Sequence, residues 1–297
     1  MEQPTRRTVL AAGILMGVGV VPGMKPLAAD TLHRRAQALA AGGEQPAHLA
    51  RKATNLLHLT TLATAVPYAA TQSLHRTAAL AALVGAQASS RLHRPPAAFL
   101  ALAHGHAHAA GDGPLRAQAL MLDAEAGQDG ALAAALCFAG SSRSSATLRA
   151  SIRGRLAVSY AERGDVHGSR LEAAAARVDS DAPSPDVLAD NAASWVGSAL
   201  ARLARIADPD QRPALAVEAH DVLTIAVKST ARPSGALTDL ALLRARLDPD
   251  DAASLLTDAY LAAVRDVSHR SRLYVRAAAS TLPPCASTSA LQDVLRG

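Results

Sequence analysis

Residues 148–178 read LRASIRGRLAVSYAERGDVHGSRLEAAAARV. The spacing of this stretch decides the fold. Leu148, Ile152, Leu156 and Tyr160 recur every fourth residue, and Leu171, Ala174, Ala175 and Val178 recur at three and four. That is the period of two helices with one apolar face each, whereas a strand would alternate at two. Between them stands Gly164-Asp165. Glycine lets the first helix stop in a left-handed residue, and aspartate can cap the second with its carboxylate. Ala157, Ala173 and Ala176 are small enough for close approach of the two helices. Such a hairpin carries more apolar surface than its own partner covers, so it calls for neighbours of the same kind.

Composition agrees. Hydrophobic residues make up 49% of the 297, yet aromatics are only 2%. A core of alanine and leucine with so few rings suits closely packed helices, not a β-sandwich of β-branched and aromatic strands. The net charge is +5, and it comes from arginine, since lysine occurs only at Lys25, Lys52 and Lys228. The arginines are scattered among Asp and Glu along helices instead of forming one patch with interleaved Asn, Gln or rings. Direct nucleic-acid binding is therefore not expected. The two cysteines, Cys137 and Cys285, have neither metal-ligand nor redox spacing. Cys137 reads as a small buried hydrophobe, and a bridge between the two is left open.

Upstream, residues 98–127 repeat the hairpin logic: a helix to Ala110, Gly111-Asp112 at the turn, and Pro114 opening the next helix. Gly111 and Gly164 are 53 residues apart (164 − 111), neither one nor two repeats of about 34, so a shortened helix is expected around 130–140. Further helices are expected at 31–41, 46–65 and 67–90. At the N-terminus, Arg6-Arg7-Thr8-Val9-Leu10 and an apolar run to Val21 have the pieces of a twin-arginine export signal, followed by a Leu27-Ala28-Ala29 step. The run is too short for a stable membrane span. Downstream, helices are expected at 186–206 and from Arg212-Pro213 to Lys228, then a hairpin around Asp248-Pro249-Asp250 and a terminal helix near 287–295 that covers the end of the stack.

Leu156, Ala157, Tyr160, Gly164, Asp165, Ala173 and Ala176 together make residues 148–178 resemble a tetratricopeptide repeat. Ser169 stands where that family usually has alanine. With HAAGDGPLRAQAL, RLAVSYAERGD and the closing SHRSRLYVRAAASTL, residues 95–297 resemble the tetratricopeptide-like C-terminal region of actinobacterial helix–turn–helix (XRE-type) transcriptional regulators. No recognition helix for DNA is evident in residues 1–94. The resemblance implies an all-α, right-handed α-α superhelix of about five helical hairpins. It divides the chain into an N-terminal segment 1–30, helices 31–94 and repeats 95–297. It also implies cytoplasmic residence, because such regulators carry a similar Arg-Arg-apolar segment without export; export by a twin-arginine-type signal is the alternative.

Chemistry-bearing motifs are few. No Gly-x-Ser-x-Gly elbow, no Gly-x-x-x-x-Gly-Lys loop and no Gly-x-Gly-x-x-Gly turn occurs where a strand would precede it. His104 and His108 share a helical face at a metal-binding spacing, but no Cys, Asp or Glu accompanies them there, so they read as polar surface. Trp195 falls on an apolar face with Ala192, Ala199 and Leu203 and reads as core. The expectation is a non-catalytic, regulatory helical-repeat module without cofactor or metal; the alternatives are an exported or envelope-associated helical protein, or an enzyme whose site no motif marks. Its partner would be a protein, a peptide or a small effector, with a homodimer also open. The family's inner-face positions fall on Ser151, Gly154, Val158, Ala161 and Glu162. Asn191, on the following helix, would add an amide for the backbone of a bound peptide.

Overall fold

The computed structural model describes residues 25–41, 45–64, 71–92, 94–125, 130–140, 146–180, 192–228, 233–265, 269–284 and 286–296. Among these, every regular element is an α-helix. The chain forms two compact units, Met1–Gly140 and Ser141–Gly297. Residues 94 and 95 fall within the first unit, and the helices on either side of Arg94-Pro95-Pro96 pack on one another.

The first unit contains α1 (Lys25–Ala40), α2 (Pro46–Thr64), α3 (Thr71–Arg91), α4 (Ala97–Ala109), α5 (Gly113–Glu125) and α6 (Ala131–Ala139). Helix α1 starts at Lys25, ahead of the expected residue 31, and takes in the Leu27-Ala28-Ala29 step. Helices α1, α3 and α5 lie side by side; α4 packs on α3 and α6 on α5, while α2 packs mainly on α3 and only lightly on α1. The Gly111-Asp112 turn therefore links two hairpins and does not lie within one. This explains the 53-residue interval. From a between-hairpin turn to a within-hairpin turn is one and a half repeats, about 51 residues at 34 each.

The second unit contains α7 (Ala146–Glu162), α8 (Val166–Ser180), α9 (Ala192–Ile206), α10 (Arg212–Lys228), α11 (Ser234–Arg244), α12 (Pro249–Arg265), α13 (His269–Ala279) and α14 (Ala286–Arg296). First helices α7, α9, α11 and α13 form one row, and each second helix packs against its own first helix. Helices α8, α10 and α12 also pack on the first helix of the next pair. This is the packing order of an α-α superhelix of hairpins. The described helices give seven hairpins, three and four in the two units, where about five were expected.

The turns behave as their residues dictate. Gly164 is left-handed at φ 78°, and the amide of Asp165 reaches back to the Tyr160 carbonyl at 3.0 Å, closing α7. Asp165 Oδ1 then accepts from the Gly168 amide at 2.8 Å and caps α8. The same device recurs at Gly111 (φ 63°), where Asp112 bonds back to Ala107 and accepts from Leu115.

One face of α8 differs from expectation. Leu171 and Val178 are exposed by 61% and 77%, and α8 buries Ser169, Ala173 and Ala176 instead. A face of small residues lets the backbones approach, and Ser169 satisfies its hydroxyl by donating to the Ala157 carbonyl at 2.8 Å. Two arginines of α7 fix the other side: Arg149 and Arg153 both donate to Asp179, and Arg153 also to Glu172 at 3.0 Å. Cys137, expected inside, is exposed on α6. Cys285 lies outside the described residues.

Candidate functional site

The row of first helices in the second unit carries a chain of polar side chains. On α7, Ser151, Arg155, Val158 and Glu162 follow at intervals of four, three and four, so they share one face. Helix α9 faces it with Trp195 and Arg202. The Arg155 guanidinium lies 4.7 Å from the centre of the Trp195 ring, a separation within cation–π range. Helices α7 and α9 come this close because residue 154 is glycine: a Cβ there would stand 2.7 Å from the Trp195 Cβ.

From Glu162 the chain runs across the row. Arg202 of α9 donates to Glu162, and its guanidinium also sits 5.9 Å from the Tyr274 ring centre on α13. Tyr274 donates to Asp239 Oδ1 on α11. Arg205 of α9 approaches the same oxygen at 3.7 Å. Asp239 is 1% exposed, and among the described residues its buried Oδ2 has no hydrogen-bond partner, nor has Nε of Arg202. Burial, then the charge and hydrogen bond of Asp239, push the Tyr274 phenol up to about 12, against the opposing pull of Arg205 and Arg202. At neutral pH it is thus a neutral donor held between a carboxylate and two guanidiniums. The arrangement gathers fixed charge and hydrogen-bonding groups from α7, α9, α11 and α13.

The expected inner-face residues divide. Glu162 is exposed and belongs to the chain. Ser151 and Val158 are buried at 0% and 7% exposure, and Val158 joins the core with Val196 and Leu200. Both are therefore covered and do not line an open surface. Ala161 is buried too. Asn191 lies outside the described residues. Trp195 is partly buried against the core, with its ring under Arg155. Sequence reasoning missed Arg155, Arg202, Arg205, Asp239 and Tyr274. Arg155 was within reach, since it stands between Ser151 and Val158 at the same helical spacing.

A second polar cluster lies in the first unit, and it separates the three histidines of α4. His104 Nε2 donates to the buried Asp123 of α5 at 2.6 Å. His106 Nδ1 meets His75 Nδ1 of α3 at 2.9 Å. His108 is exposed. Nearby, Gln72 donates to the Ala110 carbonyl at 2.9 Å and Arg76 to Asp112 at 2.7 Å. Thr77 gives its hydroxyl proton to the Ser73 carbonyl, so it accepts from His33 Nδ1 of α1 at 3.2 Å. Among the described residues, no three of His, Cys, Asp and Glu gather as a metal site, and no helix is long and apolar enough to cross a membrane. Protein-family models, curated proteins and solved structures offer no match to this chain.

Proposed function

We propose that the first-helix face of residues 141–297 binds a protein or an extended peptide, and that the chain is a non-catalytic regulatory interaction module. The observation that carries this reading is the polar chain from Glu162 through Arg202 and Tyr274 to Asp239 and Arg205, which spans α7, α9, α13 and α11. Glu162 and Arg205 leave exposed charge along this row, while Asp239 and Arg202 hold it together from within. Stacked hairpins present their first helices as a continuous docking surface, on which fixed charges select partners. The likeness of residues 148–178 to a tetratricopeptide repeat, and of 95–297 to the regulators' C-terminal region, supports the same reading.

The test is affinity capture with the full chain, followed by binding of the identified partner to purified protein. Glu162→Lys and Arg205→Gln are expected to weaken that binding at least tenfold. Arg177→Glu, on α8, is expected to leave it unchanged. A partner that binds all three variants as it binds the parent would refute the face assignment.

A second reading, an exported helical protein, rests on Arg6-Arg7 and the apolar run behind them. The cytoplasmic reading is preferred because the Leu27-Ala28-Ala29 step lies in α1, where Ala29 is buried, so cleavage there would cut into that helix. Intact mass from the native host separates the two: loss of roughly the first 29 residues would establish export.

A further inference from the structure

We propose that His75 of α3 and His106 of α4 form a two-imidazole site for a divalent transition-metal ion of tetragonal preference, copper(II) or nickel(II). Their Nδ1 atoms face each other at 2.9 Å, with ring centres 5.2 Å apart and ring planes tilted by 34°. An imidazole nitrogen binds such an ion at about 2.0–2.1 Å. Two nitrogens 2.9 Å apart, each at that distance, subtend about 90° at the ion. That is the angle between adjacent positions of a square-planar or tetragonal centre. A tetrahedral ion such as zinc would spread them to about 3.3–3.4 Å.

The two rings are held in place by their helices. One turn before His75, Gln72 donates to the carbonyl of Ala110, one turn after His106. Arg76, next to His75, is tied to Asp112 beyond the end of α4. These bonds bracket the two positions along the sequence and fix α3 against the end of α4. Burial and the neighbouring His75 lower the pKa of His106, which favours its neutral, metal-binding form. In the metal-free pair one Nδ1 carries the proton and the other accepts it. Metal binding uses both Nδ1 lone pairs, so the shared proton passes through solvent to Nε2 of the donor ring, with no net release from a neutral pair. No third His, Cys, Asp or Glu joins them among the described residues, so water completes the coordination and the affinity is modest.

The test uses the full chain without an affinity tag, stripped with a chelator and titrated with copper(II) and nickel(II) by calorimetry. Electron paramagnetic resonance of the copper form counts the bound nitrogens. The expected result is one saturable equivalent with two coordinated nitrogens, weakened at least tenfold in His75→Ala and in His106→Ala. His104→Gln and His108→Ala are expected to bind like the parent. If an alanine variant melts early, His75→Gln and His106→Asn keep a polar group at each position and must show the same loss. Uptake that survives in the His75 and His106 variants, or non-saturable uptake spread over other histidines, would overturn the site.

Discussion

Tyr274 of α13 donates its phenolic proton to Oδ1 of Asp239 on α11 at 2.5 Å, and Asp239 is almost wholly buried. The two residues are 35 apart in sequence and come from the first helices of successive hairpins. This bond therefore reports directly on whether neighbouring hairpins have docked.

Tyr274→Phe is expected to destabilise the chain by about 1–3 kcal/mol, because it removes a donor from a buried carboxylate and leaves the carboxylate in place. Thermal melting would register a drop of several degrees. The double variant Tyr274→Phe/Asp239→Leu should lose less than the single one, since both polar groups then leave together. An unchanged melting temperature in Tyr274→Phe would mean the bond does not form.

Alkaline titration reads the same contact. Burial pushes the folded Tyr274 phenol up to about 12, above its ordinary 10.0. A raised pKa means that the folded state favours the neutral form. Its contribution is full below pH 10 and is lost as pH climbs through about 12. Phenolate absorbance should show a late step from Tyr274, and Tyr274→Phe should remove it.

His33 gives a test on the acid side. Burial, then the charge of Arg76, lowers its pKa below 6.5, against the pull of Asp30 and Asp112. Here the folded state prefers the neutral imidazole. Stability is therefore present above pH 6.5 and falls as pH drops through the lowered value. Urea midpoints measured in chelator at pH 7.5 and 5.5 should diverge in the parent, and less so in His33→Gln. Equal divergence in the two proteins would remove His33 from the account.

Two glycines should respond with opposite signs. A Cβ at Gly154 would stand 2.7 Å from that of Trp195, so Gly154→Ala must push α7 and α9 apart, at a cost of about 1–3 kcal/mol. A Cβ at Gly105, inside α4, meets nothing within 4 Å. Gly105→Ala is expected to stabilise by about 0.5–1 kcal/mol through helix propensity alone. Denaturant midpoints of the two variants should move in opposite directions. Tryptophan fluorescence should change only in the first.

The sequence showed the helices and their punctuation. Gly111 and Gly164, each followed by an aspartate, mark reversals because only local backbone chemistry is needed to end one helix and cap the next. Assigning them to hairpins was another matter. The two turns look alike, yet one lies within a hairpin and the other between hairpins, and only the packing of α3 on α1 and α5 separates the cases.

Local pattern by itself determined an all-α chain of short helices with defined ends, because capping, turn chemistry and alanine-rich propensity act over a few residues. The tertiary structure alone decided which faces are buried and which polar groups meet. On α8 the larger Leu171 and Val178 lost the interior to Ser169, Ala173 and Ala176, since small residues allow close backbone approach. Partners such as Glu162 and Arg202, or His75 and His106, stand 40 and 31 residues apart, and only the stacking of whole helices brings them together.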